Sequence, residues 1–179
     1  MIRPRKSPHW NERPEGTTID LVVLHFISLP AGVFEGDAVG ELFEGTLDTS
    51  RPPFEELAGL RVSSHFFIRR TGDVEQFVPV EKRAWHAGVS VFHGTPNCND
   101  RSIGIEIEGT GEVPFTDAQY EALGDLLRTL ADDYPVRWVT GHEHVAPGRK
   151  SDPGPFFDWA RVARSVPHLH YDLRAQVTK

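Results

Sequence analysis

Residues 19–27 read Ile-Asp-Leu-Val-Val-Leu-His-Phe-Ile. Apolar and β-branched side chains crowd together there without a clean alternation, which is the pattern of a central strand buried on both faces. His25 interrupts the run, and the stretch falls far short of the roughly 20 apolar residues that a membrane span needs. Pro30 and Gly32 end it. A strand of this kind needs layers on both sides, so the rest of the chain must supply helices as well as further strands.

The chain downstream of this strand supplies both. Ala38, Val39, Leu42 and Phe43 have helical spacing over 37–43, and residues 53–60 allow a second short helical piece. Residues 62–69 and 74–78 read as a hairpin around Thr71-Gly72-Asp73, and 86–100 as loop. Ile103, Ile105 and Ile107 alternate with Gly104, Glu106 and Glu108, which predicts a half-buried strand with Glu106 opposite the isoleucines. The clearest helix spans 117–131. Thr116 and Gln119 are spaced as a capping box, Tyr120, Leu123, Leu127 and Leu130 form one stripe, and Pro135 stops the helix. A short strand over 136–140, a loop over 141–155 and a last helix over 156–164 burying Phe156, Trp159 and Val162 complete the pattern. The expectation is one α/β domain over 1–179, with a polar N-terminal strap (1–18) and a C-terminal tail (165–179).

Composition narrows the function classes. The chain has 179 residues, enough for a single core that buries roughly 70% of the unfolded surface. Nineteen Lys and Arg against 26 Asp and Glu give a net charge of −7, which argues against nucleic-acid binding. The N-terminus carries positive charge but no apolar segment behind it, so it does not read as a secretory signal. Cys98 is alone and permits no intrachain disulfide. These features predict a cytoplasmic protein without membrane attachment.

Nine histidines are the chemical anomaly. His25 ends an apolar strand, where a buried imidazole must find a partner. His142 and Asp152 flank a loop at another strand end, where ligand sites of α/β sheets gather. Two imidazoles and one carboxylate suit zinc and leave a fourth tetrahedral position for water. No HExxH or CxxC spacing enforces that reading, and from the residues alone ordinary core or surface histidines are the simpler one. Glu106 reads either as a solvent-facing carboxylate or as a general base in a cleft. Lys150, two residues before Asp152, is a surface lysine unless Asp152 binds a metal, in which case it lies close enough to stabilise an oxyanion.

Several collinear blocks sharpen these alternatives: LVVLHFISLP, LFEGTLD, LRVSSHFFIRRTGDVEQFVPVEKRAWHAGVS, CNDRSIGIEIEGT, FTDAQYEAL and TGHEHVAPGRKSDPGPFFDWAR. From about Ser7 to Ala163 the chain resembles the AmpD-type N-acetylmuramoyl-L-alanine amidases, relatives of phage type-3 lysozymes and peptidoglycan recognition proteins. The resemblance implies a mixed sheet of five or six strands flanked by helices, and a Zn2+ ion held by His25, His142 and Asp152. It places a catalytic glutamate on Glu106 and a catalytic lysine on Lys150. The Ala84-Trp85-His86 stretch looks like the family's substrate wall, with Trp85 either stacking on sugar or peptide or serving as a core indole. Arg61 falls where a stem-peptide carboxylate is met, or is simply a solvated arginine.

The implied partner is a small muropeptide, cut between the lactyl group of a 1,6-anhydro-muramic acid and L-alanine by a monomeric enzyme of cell-wall recycling. Two positions depart from the family. Phe26 stands where relatives carry an asparagine that contacts substrate, and Asn97 where a basic side chain is typical. His93 and His144 read as loop residues, His65 as a packed strand histidine, and His9, His168 and His170 as solvent-facing.

Overall fold

Residues 21–27 form the strand around which the sheet is built. The structure, a computed structural model, describes residues 1–177, so the last two residues of the expected tail lie outside the described residues. In chain order the strands are β1 (Ile2–Pro4), β2 (Trp10–Glu12), β3 (Leu21–Ile27), β4 (Phe66–Ile68), β5 (Val74–Gln76), β6 (Lys82–Ala84), β7 (Val91–Phe92), β8 (Thr95–Pro96), β9 (Ser102–Glu108), β10 (Trp138–Gly141) and β11 (His170–Tyr171). The helices are α1 (Ala38–Glu44), α2 (Asp117–Asp133), α3 (His142–Val145) and α4 (Trp159–Ser165), with 3₁₀ turns at Glu55–Leu57 and Cys98–Asp100.

The main sheet runs β1-β5-β4-β9-β3-β10-β11. Only the β4–β5 hairpin is antiparallel; every other pairing is parallel. Strand alternation sorts the two faces. Val22, Leu24, Ile103, Ile105 and Ile107 pack with Leu123, Leu127 and Leu130 of α2, each such leucine contributing about 1.5–3 kcal/mol by burial. His25 and Glu106 therefore emerge on the opposite face. There Val39, Leu42 and Phe43 of α1 pack on Phe67 and Phe77. The Thr116 hydroxyl accepts from Gln119 N at 3.1 Å, and the Gln119 side chain accepts from Thr116 N at 3.0 Å, so the capping box starts α2 as its spacing predicts.

Several expectations are corrected. The sheet has seven strands rather than five or six, because three-residue β1 and two-residue β11 pair at its edges. Residues 1–18 are not a mere strap. Besides β1, they hold β2 against β6 and bring two half-buried arginines with them. Arg5 binds Asp37 and Glu44 bidentately, and Arg13 donates to the carbonyls of Val80, Asn99, Asp100 and Ser102. β9 is buried along its whole length, not half-buried, since the second face is covered as well. Phe156 is exposed and Phe157 is the buried ring, because α4 begins only at Trp159. The loops contain unexpected structure: the β7–β8 hairpin within 86–100, and α3, which carries His144, within 141–155. His9 is half-buried rather than solvent-facing and donates from Nδ1 to Val62 O at 3.1 Å.

His65 is packed, as expected, though it lies just before β4. Its Nδ1 accepts from Gly104 N at 3.0 Å, so Nε2 carries the proton and donates to Lys82 O at 2.9 Å. Burial, with Arg13 close by, pulls it from 6.5 down to about 3. Because the folded value lies below the unfolded one, the unfolded chain binds more protons between these limits. The stabilisation is complete above about pH 6.5 and is lost as pH falls towards 3, by up to about 1.4 kcal/mol per pH unit. Urea unfolding of His65→Gln between pH 5 and 7.5 should show a shallower pH slope than the unsubstituted protein, and equal slopes would remove His65 from this account.

Candidate metal centre and cleft

The parallel register of β3 and β9 sets His25 directly beside Glu106. β10 lies on the other side of β3 and delivers His142 at its C-terminal end, as the first residue of α3. Asp152 comes back on the following turn, where its carbonyl accepts from Glu143 N at 2.8 Å. All three side chains are buried. His25 Nδ1 and His142 Nδ1 lie 2.9 Å apart, and each is 3.0 Å from Asp152 Oδ2.

These atoms fit a metal on chemical grounds. His142 Nε2 donates to Ala87 O at 2.9 Å, which leaves Nδ1 of the neutral ring as a bare acceptor facing the Asp152 carboxylate. Two acceptors at that distance are reconciled by a shared cation. A tetrahedron with bonds of about 2.0–2.1 Å has edges of about 3.3 Å, a few tenths of an ångström from the separations present. Burial, reinforced by His142, lowers His25 to about 4, so the ring is neutral and ligand-ready near pH 7.

Glu106 Oε1 is 3.9 Å from His25 Nδ1, and its Oε2 is buried with no hydrogen-bond partner among the described residues. Burial, and then the charge of Asp152, raise its pKa well above the ordinary carboxylate value; Lys150 partly offsets this. Glu108, on the same strand face, has a structural role instead, accepting from Arg70 N at 2.8 Å. Lys150 is exposed on the rim of the cleft.

A cleft of about 670 Å³ opens over these groups. One wall is apolar, formed by Leu29, Leu42, Leu57, Leu60 and Val62, residues that sequence reasoning did not assign to a site because they come from separate loops and α1. Trp85 is half-buried and lines this cleft, with its indole N–H held by Asn11 Oδ1 at 2.6 Å, so it is not a core indole. Ala84 is fully buried in the Phe43–Phe67 cluster, and its methyl group does not reach the cleft surface. Arg61 is exposed and borders an adjoining recess of about 310 Å³ that shares Leu42, Leu57 and Leu60 with the cleft. Phe26 lines the cleft, whereas Asn97 lies outside its lining, at a left-handed φ of 60°. His86, adjacent to Trp85, emerges as a close neighbour of His25, at 2.9 Å between His86 Nδ1 and His25 Nε2. Gly104 is the sequence signal for it: a side chain there would overlap the His86 ring.

Comparison with known proteins identifies the family. A family model described as N-acetylmuramoyl-L-alanine amidase matches residues 15–155. The 1,6-anhydro-N-acetylmuramyl-L-alanine amidase AmpD of Escherichia coli K12 is 54% identical over 158 residues, covering 87% of this chain and 86% of that protein. The crystal structure of a selenomethionine AmpD derivative superposes with a TM-score of 0.87 at 48% identity, covering 92% of this chain and 93% of the other. The E. coli amidase AmiD, solved with the substrate anhydro-N-acetylmuramic acid-L-Ala-D-gamma-Glu-L-Lys, gives a TM-score of 0.62 at 28% identity, covering 87% of this chain and 61% of that one. Among the described residues no helix is long and apolar enough to cross a membrane. With the family model, the fold and near-full-length similarity in agreement, the chain belongs to the N-acetylmuramoyl-L-alanine amidase family and is of the AmpD type.

Proposed function

We propose that this chain is a zinc-dependent, monomeric, cytoplasmic amidase, a single domain over 1–179. It hydrolyses the amide between the lactyl group of 1,6-anhydro-N-acetylmuramic acid and L-alanine of the stem peptide, in muropeptide recycling. The observation that carries this reading is the meeting of His25, His142 and Asp152 beside a buried glutamate, Glu106, whose Oε2 has no hydrogen-bond partner among the described residues.

His25, His142 and Asp152 hold the ion, which when bound supplies a Lewis acid and lowers the pKa of water. Glu106 takes the proton of the attacking water and hands one to the departing alanine nitrogen; its raised pKa suits both transfers. The ammonium of Lys150 meets the negative charge that develops on the carbonyl oxygen. Trp85 offers a flat face for sugar or peptide along the cleft. Arg61 engages a carboxylate of a stem peptide long enough to run into the recess.

Incubation with a 1,6-anhydromuropeptide should release an intact stem peptide beginning at L-alanine, by chromatography and mass spectrometry. A chelator should stop the release and added zinc restore it. A shortened peptide, or no product with zinc present, would defeat the reading. Lys150→Ala should lower kcat by about 10²–10³ with KM little changed, and an effect confined to KM would remove Lys150 from oxyanion stabilisation.

A further inference from the structure

The two histidines of the cluster sit on different elements, one on a strand between two parallel neighbours and one at the start of a four-residue helix. The terminal ring torsion of histidine is soft, so their backbones alone do not aim both Nδ1 atoms at one point. Both rings, however, lean on the same dipeptide. With Nδ1 of His25 turned to the cluster, its Nε2–H donates to His86 Nδ1 at 2.9 Å, and His142 Nε2–H donates to the next carbonyl, Ala87 O, at 2.9 Å.

That dipeptide is itself fixed from three sides. The side-chain carbonyl of buried Asn99 accepts from both His86 N (3.2 Å) and Ala87 N (2.8 Å). Arg149 also donates to Ala87 O, at 2.7 Å. The His86 ring lies flat against Gly104, where a Cβ would come within 2.5–2.8 Å of three ring atoms, and its Nε2 reaches Ser102 Oγ at 3.2 Å. The glycine slot in β9 thus has a reason: it admits the ring that orients His25.

We propose that His86-Ala87, locked by Asn99 and seated on Gly104, is a positioning clamp that aims both metal-binding imidazoles and thereby sets the affinity of the site. This rests on the zinc reading above. Outer partners of metal ligands fix tautomer and ring orientation, and their loss commonly weakens metal binding by about 10–100-fold. His86 acts through His25, and Asn99 through both rings; neither is a ligand.

The test is zinc affinity of the full chain, by competition with a chromophoric chelator, together with the visible absorption of the cobalt-substituted protein and the melting temperature of the metal-free form. His86→Ala and Gly104→Ala should each bind zinc about 10–100-fold more weakly and shift the cobalt spectrum. His86→Gln, which keeps an acceptor, should recover much of the affinity and a spectrum close to that of the unsubstituted protein. Zinc affinity of His86→Ala within about twofold of the unsubstituted protein overturns the clamp. Should His86→Ala not fold, Asn99→Ala decides by the same threshold, since Asn99 touches neither ligand. Failure of the unsubstituted chain to bind zinc sinks the zinc reading itself, whereas normal binding that ignores these substitutions sinks only the clamp.

Discussion

Asp152→Ala should leave a folded protein that no longer retains zinc through dialysis and no longer releases stem peptide measurably, because the Lewis acid that would lower the pKa of water is lost with the ion. Asp152 is the one anionic donor of the cluster, and its Oδ2 stands 3.0 Å from both imidazole nitrogens. Without it two neutral rings remain, one short of the three protein ligands usual for a catalytic zinc. A second readout separates ligand loss from misfolding. Zinc at about 100 times its Kd should stabilise the unsubstituted protein by about 2.7 kcal/mol, visible as a gap between metal-free and zinc-loaded melting temperatures. In Asp152→Ala that gap should close while the metal-free melting temperature stays near its original value. Full zinc content in Asp152→Ala would take Asp152 out of the ligand set.

The parts of the fold legible in the sequence are those with a strong apolar pattern. β3, β9 and α2 announce themselves as elements because of an unbroken apolar run, a period of two and a capped stripe, although the period of two hid the burial of β9 on its second face. The edge strands β1 and β11 do not, since their pairing is carried by backbone groups and their side chains are largely exposed. The anchoring of Arg5 and Arg13 is equally hidden, because it depends on carboxylates and carbonyls brought from distant segments. The site divides in the same way. His25 and Glu106 are marked individually by their strands, but their adjacency is a matter of register between β3 and β9. No local spacing carries it, and His142 lies 117 residues from its partner His25. Ala84 and Trp85 show the limit of reading by neighbourhood: consecutive residues on β6 and beyond it face opposite ways, one into the core and one into the cleft.

Glu106→Gln should keep about one zinc per chain and lose turnover by about 10²–10⁴, the range for removal of a general acid-base group. The substitution preserves shape and removes basicity. Glu106 is not among the three converging donors, so metal content should stay. The sign of the stability change is the sharper test. Burial and Asp152 both disfavour the Glu106 carboxylate, and Oε2 finds no partner among the described residues. An unpaired buried carboxyl destabilises a fold, so a neutral amide should leave the metal-free melting temperature unchanged or higher. A purely structural glutamate predicts the reverse pairing, with stability reduced and turnover per zinc-loaded molecule intact. Reduced turnover with equal or greater stability identifies a group retained for chemistry at the expense of the fold, and turnover near that of the unsubstituted protein would remove Glu106 from the mechanism.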